Sequence, residues 1–228
     1  MITLERHLVL SGKGNRRKCA YLIRRGEVTV GDKIVTDSKF LVSHTDCVKC
    51  DGETLTAAPL QTVLLWKPPG YVCQHGEKDP SAYELLPPIP GLSLVGRLDR
   101  DSEGLIIATN DGDLSHHLTS PEHHVPKTYH VKINGRITDK LLQHLCSGLP
   151  LDNQSTRPLE GKILRKEGSN TWIQLILTEG KKRQIRRLCE QIDKNVIRLL
   201  RVSIGELTTA HLKPKQYRKL KEKELNKL

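Results

Sequence analysis

The spacing of apolar residues changes several times along this chain, and the changes divide it. Residues 3–11 read as a short helix, and a second helix, RRKCAYLIRR, is capped by Asn15 and stopped at Gly26. EVTV and KIV then alternate polar and apolar positions on either side of Gly31-Asp32, the pattern of a β-hairpin with a two-residue turn. After a small, polar stretch, TLTAAPLQ (54–61), the pattern changes. VLLWKPPGYVC, LIIATN, TYHVKING and WIQLILTE read as strands, whereas LLQHLCSGL, RQIRRLCEQI and the Lys-rich C-terminus read as helices. Strands and helices mix without a regular βαβ beat, so the fold class is α+β and not a doubly wound sheet. We expect a head over residues 1–56, a linker at 57–61 and a larger domain over 62–228.

Charge sharpens this division. Residues 1–56 hold 10 basic and 7 acidic residues, residues 57–160 hold 9 and 12, and residues 161–228 hold 18 and 7. Two basic arms around a near-neutral middle fit a polyanion gripped from both sides of a central site, although a solvated basic surface would look the same. No apolar run approaches a membrane span, and MITLERHLVL is charged where a signal peptide must be apolar. A cytoplasmic location with no membrane partner is expected. The six cysteines include one CxxC, Cys47 and Cys50, with no second pair at finger spacing, so all six are read as free thiols.

Three clusters carry candidate chemistry. GRLDRDSEGL (96–105) places Asp99, Asp101, Glu103 and Gly104 at calcium-loop positions. The twelfth position, however, is Asn110, and Leu105-Ile106-Ile107 leads into a strand, which disfavours calcium. Asp99 beside Arg97 and Arg100 instead suits a nucleophile or an acid/base group, unless it only pairs with a neighbouring arginine. SHHLTSPEHHVPKTYHV (115–131) holds five histidines, but adjacent histidines point apart and cannot share a metal. Here Tyr129 offers a ring to a base and Lys127 a charge to a phosphate, against the plain alternative of strand packing. In TEGKKRQIRRLCEQI (178–192), Ile185, Leu188, Cys189 and Ile192 share one helix face, which leaves Arg186 and Arg187 at its edges behind Lys181, Lys182 and Arg183. An arginine at such an edge meets either a carboxylate or solvent.

Taken together and in this order, the clusters resemble a known family. GRLDRDSEGLIIATNDG is similar to the signature segment of the ribosomal pseudouridine synthases that carry an S4-type RNA-binding head, and SHHLTSPEHHVPKTY, EGKKRQIRRL and RVSIGEL are similar to its later blocks. KPPGYVC and the N-terminal helix-helix-hairpin also fit, and the wording is most similar to the small-subunit, 16S-type branch. The resemblance implies a catalytic domain built on a mixed, mainly antiparallel sheet with flanking helices. It also implies that Asp99 is the catalytic aspartate, that Tyr129 stacks on the target uracil, that Arg186 pairs with Asp99, and that Arg97 lies on the RNA side of the pocket.

The further RNA contacts expected are Arg100, Lys127, Lys181, Lys182, Arg183 and Arg187, with Arg16, Arg17, Arg24 and Arg25 in the head. No metal or cofactor is expected, since the isomerisation involves no redox change and the sequence lacks a phosphate loop, a dinucleotide fingerprint or a metal set. The partner expected is ribosomal RNA, free or within a subunit assembly intermediate, bound by a monomer. The alternatives are a non-catalytic S4-type RNA-binding or ribosome-assembly protein and a synthase acting on 23S or transfer RNA. A zinc deaminase would need an H-x-E motif ahead of the CxxC, and none precedes Cys47.

Overall fold

The computed structural model describes residues 1–76, 78–120, 122–209 and 212–228, and the chain forms two compact units. The first comprises residues 1–62, 87–93 and 109–111; the second comprises 63–86, 94–108 and 112–228.

The first unit begins with β1 (Ile2–Thr3) and α1 (Leu4–Leu10), whose N-cap is Thr3. α2 (Arg16–Arg24) starts at Asn15, whose side chain accepts from the Lys18 N–H at 3.0 Å. Gly26, at φ 74°, turns the chain out of the helix in a conformation open to glycine at little cost. β2 (Val28–Val30) and β3 (Lys33–Ile34) form the hairpin around Gly31-Asp32, with Val30 opposite Lys33. β4 (Leu41–Val42) pairs with β1, and β5 (Val48–Cys50) and β6 (Glu53–Thr54) complete a small sheet in the order β3-β2-β5-β6. Leu4, Leu8, Cys19, Ile23, Val28, Val42 and Val48 form its core. Within this unit the stretch expected as a linker is tied down. The Ala58 N–H donates to the Leu10 carbonyl, and the Asn110 side chain donates to the Pro59 carbonyl.

The second unit is built on a nine-stranded, mainly antiparallel sheet. In chain order its elements are β7 (Thr62–Lys67), β8 (Ser93–Leu94), β9 (Glu103–Thr109), α3 (Gly112–Thr119), β10 (Lys127–Ile133), α4 (Asp139–Cys146), the small pair β11 (Pro150–Leu151) and β12 (Gln154–Ser155), β13 (Glu160–Glu167), β14 (Asn170–Leu177), α5 (Gln184–Glu190), β15 (Val196–Ile204), β16 (Leu207–Thr208), β17 (Tyr217–Lys219) and α6 (Glu222–Leu225). The main path runs β13-β14-β10-β15-β9-β7-β17. Strand alternation sends Val131 and Ile133 of β10, and Ile173 and Leu175 of β14, to one face, where Leu142 and Leu145 of α4 and Ile185 and Leu188 of α5 cover them. A separate cluster joins Leu64, Leu105, Ile107 and Leu118.

The Lys-rich C-terminus departs from the expected helix. Tyr217–Lys219 is a strand, pairing antiparallel with β7, and only Glu222–Leu225 is helical. Its lysines mark a charged, exposed surface, a property that a sheet-edge strand shares with a helix. No helix among the described residues is long and apolar enough to cross a membrane.

Gly104 sits where β9 meets β15 in a parallel pairing, opposite Arg201 and at φ 108°. A Cβ there would lie 2.7 Å from the Arg201 backbone N and press on its carbonyl. Backbone cannot yield as a flexible side chain can, so Gly104→Ala should destabilise the protein by about 3 kcal/mol or more. Urea denaturation of the variant beside wild type measures this, and a loss under about 1 kcal/mol would show that the strands can part at this point.

Candidate active site

A cleft of about 310 Å³ opens in the second unit, lined by the Gly96–Asp99 stretch with Ser102, by Tyr129, and by Glu179–Ile185, with Leu177 and Leu199 as apolar wall. Tyr129 lies on the same face of β10 as Val131 and is packed against the apolar cluster under α5, so its ring is partly buried where the strand begins. Asp99 is half-buried, and its carboxylate makes no hydrogen bond or ion pair among the described residues.

The loop that carries Asp99 has no regular structure, so its backbone groups need other partners. The Ser102 N–H closes a turn onto the Asp99 carbonyl at 3.0 Å, and the Gly70 N–H donates to the Arg100 carbonyl at 2.7 Å. Lys67 is fully buried at the end of β7, and its ammonium donates to the carbonyls of Ser102 at 2.6 Å and Pro68 at 3.1 Å, with that of Arg100 at 3.5 Å. Cys73 Sγ lies 3.4 Å from both the N–H and the carbonyl of Leu98, the residue before Asp99. From the other side, Arg186 Nη2 donates to the Asp101 carbonyl at 3.1 Å and Nη1 to that of Val196 at 3.1 Å.

The expected pairing of Arg186 with Asp99 is not what the structure shows. Arg186 pairs with the Asp101 carboxylate at 3.2 Å, and Arg183 reaches the same carboxylate at 3.3 Å. The reason is geometric: Arg186 already grips the Asp101 carbonyl, and that residue's own carboxylate is within reach. Arg183, at φ 51°, turns the chain into α5 without a side-chain cap.

Of the other residues singled out in sequence, Arg97, Lys181, Lys182 and Arg183 line the cleft. Arg100 pairs with Asp79 at 2.9 Å, and Arg187 forms a two-pronged pair with Asp152, holding that carboxyl below its usual range. Lys127 turns back onto the Val125 carbonyl at 2.8 Å, and burial pulls its ammonium down to about 8. It does not line the cleft. In the first unit Arg16 pairs with Glu5, Arg25 with Glu27 and the Tyr21 hydroxyl, and Arg24 with its own helix at Ala20, while Arg17 is exposed. No cluster of three or more His, Cys, Asp or Glu side chains among the described residues is arranged to hold a metal ion, and Pro121 of the histidine-rich block lies outside them.

Sequence reasoning did not single out Lys67, Cys73 or Asp101 for a role. A lysine ending the apolar run VLLW was a usable signal, because a buried ammonium needs acceptors. Ser102, 1% exposed, lines the cleft with an Oγ that has no partner among the described residues. The arrangement combines a carboxylate that makes no ion pair among the described residues, an aromatic ring and a rim of cations. It suits attack on, or proton transfer from, a ring-bearing anionic substrate without redox chemistry.

Burial pulls the Lys67 ammonium down to about 8 from an ordinary 10.5. Below about 8 the folded protein bears the cost of this buried charge, and the cost is relieved as pH rises toward 10.5, where the unfolded chain still binds the proton. Lys67→Met should therefore lose about 2–3 kcal/mol by orphaning buried carbonyls, and should lose part of the rise in stability over that pH window. Urea midpoints measured across the window test this. The contribution of Lys127, which burial lowers in the same direction, remains in the variant, and an unchanged pH slope in the Met variant would refute the assignment.

Comparison with known proteins now gives the site a context. The family model described as RNA pseudouridylate synthase matches residues 61–191. A ribosomal large subunit pseudouridine synthase E of Xanthomonas campestris is 37% identical over 174 residues, 68% of this chain and 93% of that protein. A ribosomal small subunit pseudouridine synthase A of Vibrio cholerae is 33% identical over 216 residues, 92% of each chain. A crystal structure of a pseudouridylate synthase aligns with a TM-score of 0.68 at 29% identity, over 100% of this chain and 99% of that one. Every residue lining the carboxylate cleft except Leu199 thus falls inside the segment matched by the family model, and this chain belongs to the RNA pseudouridylate synthase family.

Proposed function

We propose that this RNA pseudouridine synthase acts on ribosomal RNA, with small-subunit 16S RNA as its target and Asp99 as its catalytic carboxylate. The observation that carries the reading is that Asp99 is left without a cation partner in a cleft it shares with Tyr129, while the neighbouring Asp101 takes both arginines. The target uridine leaves its stack, enters the cleft and rests on the Tyr129 ring. The bond from N1 to C1′ breaks, the uracil turns, a bond from C5 to C1′ forms, the C5 proton passes to solvent, and N1 takes up a proton from solvent in its place. Asp99 acts as nucleophile or base, and no cofactor enters. Arg186 serves by holding Asp101, and so the loop. Arg97, Lys181 and Lys182 hold phosphates at the rim, beside the Arg183 that Asp101 engages.

The first 56 residues act as an S4-type RNA-binding head through Arg16, Arg17 and Arg24 on α2 and Arg25 at its C-cap, joined at 57–61 to the catalytic domain. The protein works in the cytoplasm as a monomer, on ribosomal RNA free or in an assembly intermediate. The choice of small-subunit RNA rests on the wording of its sequence blocks and on the small-subunit relative matched over 92% of the chain.

The test is tritium release from C5-labelled uridine in small- and large-subunit RNA. Asp99→Asn keeps the shape and removes the charge, so release should vanish while RNA binding persists. Turnover near the wild-type rate would remove Asp99 from the chemistry, and release from large-subunit RNA alone would move the target.

A second pair of variants reads the ring. Tyr129→Phe should keep most activity and Tyr129→Leu should lose at least about tenfold, because the stacking face and not the hydroxyl is required. Equal loss in both variants would mean that the hydroxyl takes part in chemistry.

A further inference from the structure

The proposed function leaves one strongly charged surface of the second unit unexplained. Residues 212–228 hold seven basic and two acidic residues. Of the two acids, Glu224 is held by Arg218 on its own segment. Lys213, Lys215, Lys219, Lys221 and Lys223 make no ion pair among the described residues and are exposed.

They are also ordered in space. β17 is the outermost strand of the sheet path beyond β7, so its alternation sets Tyr217 and Lys219 on one face and Arg218 on the other. The Tyr217 side chain is 43% exposed although it sits in a strand. The preceding loop is pinned to β7 by two backbone bonds of 2.9 Å, Lys215 N–H to Trp66 O and Trp66 N–H to Gln216 O. Lys215, at φ 70° directly after Pro214, is thereby held with its ammonium 5.4 Å from the centre of the Tyr71 ring. Tyr71 follows Gly70, whose N–H bonds the loop carrying Asp99.

We propose that this edge, formed by Lys213, Lys215, Tyr217 and Lys219 with Tyr71, is a second RNA-binding surface that carries a single strand leading to the catalytic cleft. Alternating lysines with the exposed Tyr217 and the half-buried Tyr71, on a fixed backbone, match what a single-stranded nucleic acid requires. The lysines meet its phosphates, the rings offer stacking faces, and no base-specific hydrogen bonding is needed. The match to a polyanion comes from cations that make no ion pair among the described residues, and the edge is tied to Trp66, four residues before the Gly70 that bonds the Asp99 loop. The inference rests on RNA being the substrate but not on which RNA.

The probe is an oligouridylate of about 16 nucleotides, bound over a range of salt. A triple variant, Lys213→Glu with Lys215→Glu and Lys219→Glu, should lose about tenfold or more in affinity. The corresponding Gln triple, which avoids any folding cost of reversed charge, should lower the slope of log affinity against log salt by about 2. Tyr217→Ala should weaken binding several-fold at every salt concentration and leave the slope as it was. A control triple, Lys140→Glu with Lys162→Glu and Lys166→Glu, makes the same charge change on α4 and on the opposite edge strand, β13. It should have little effect.

The surface is refuted if the Gln triple binds like wild type, or if the control triple costs as much as the edge triple. Tritium release from ribosomal RNA by wild type separates this from the proposed function. Release with unaltered oligouridylate binding by the Gln triple overturns the surface alone. Loss of binding by the edge variants, with no release by wild type from any ribosomal RNA, supports the surface and overturns the ribosomal reading.

Discussion

The Asp99 loop must satisfy buried backbone groups that no helix or sheet accommodates, and the catalytic half of the molecule is arranged around that need. A buried carbonyl or N–H without a partner costs about 1–3 kcal/mol, and the residues between Leu98 and Ser102 expose several of them. The partners come from distant stretches of sequence: the Lys67 ammonium and Gly70 N–H at the end of β7, the Cys73 thiol just after, and the Arg186 guanidinium on α5. Each can make its contact only if the sheet and α5 are in register. Asp99 is therefore placed by its backbone, and its carboxylate does not have to bond anything in order to stay there.

A division of labour between two carboxylates follows. Asp101 and Asp99 stand two residues apart, yet Asp101 draws Arg183 and Arg186 to itself and ties α5 to the loop. With those guanidiniums engaged, Arg97, Lys181 and Lys182 remain at the cleft without an ion pair among the described residues. The same economy leaves Arg100, Arg187 and Lys127 out of the site, since each bonds a nearby acceptor instead.

How much of this was readable in sequence depended on the range of the interaction. Asn15 as a cap, Gly26 as a stop and the hairpin at Gly31-Asp32 are set by neighbours within a few residues, and they were legible. So was the face shared by Ile185, Leu188 and Cys189, because helical periodicity is local. The C-terminal strand was not, since Tyr217–Lys219 becomes a strand only by pairing with Leu65, Leu64 and Val63, far away in sequence. Within the candidate site, the grouping of Asp99, Tyr129 and the Lys181–Arg183 cations was legible through a family pattern. The partner of Arg186 was not, because choosing between two carboxylates two positions apart depends on backbone geometry that a motif does not encode. Lys67 and Cys73 were missed for a related reason: their partners are main-chain atoms, which leave no trace in residue identity.

The contact of Gly104 with the Arg201 backbone has a consequence for how the molecule comes into being. Parallel neighbours close in space can be far apart along the chain, and here Glu103-Gly104 pairs with Leu200-Arg201. A ribosome making this protein releases the Asp99 loop long before it releases the strand that backs it, or Arg186. The loop must wait, its carbonyls solvated, until Arg186 and the strand carrying Leu200-Arg201 have emerged. The outermost strand of the sheet path, residues 217–219, emerges later still. Contacts this distant in sequence are slow to form, so assembly of the cleft should be among the last events of folding. A nascent or C-terminally clipped chain would accordingly hold a complete first unit while lacking a formed catalytic centre.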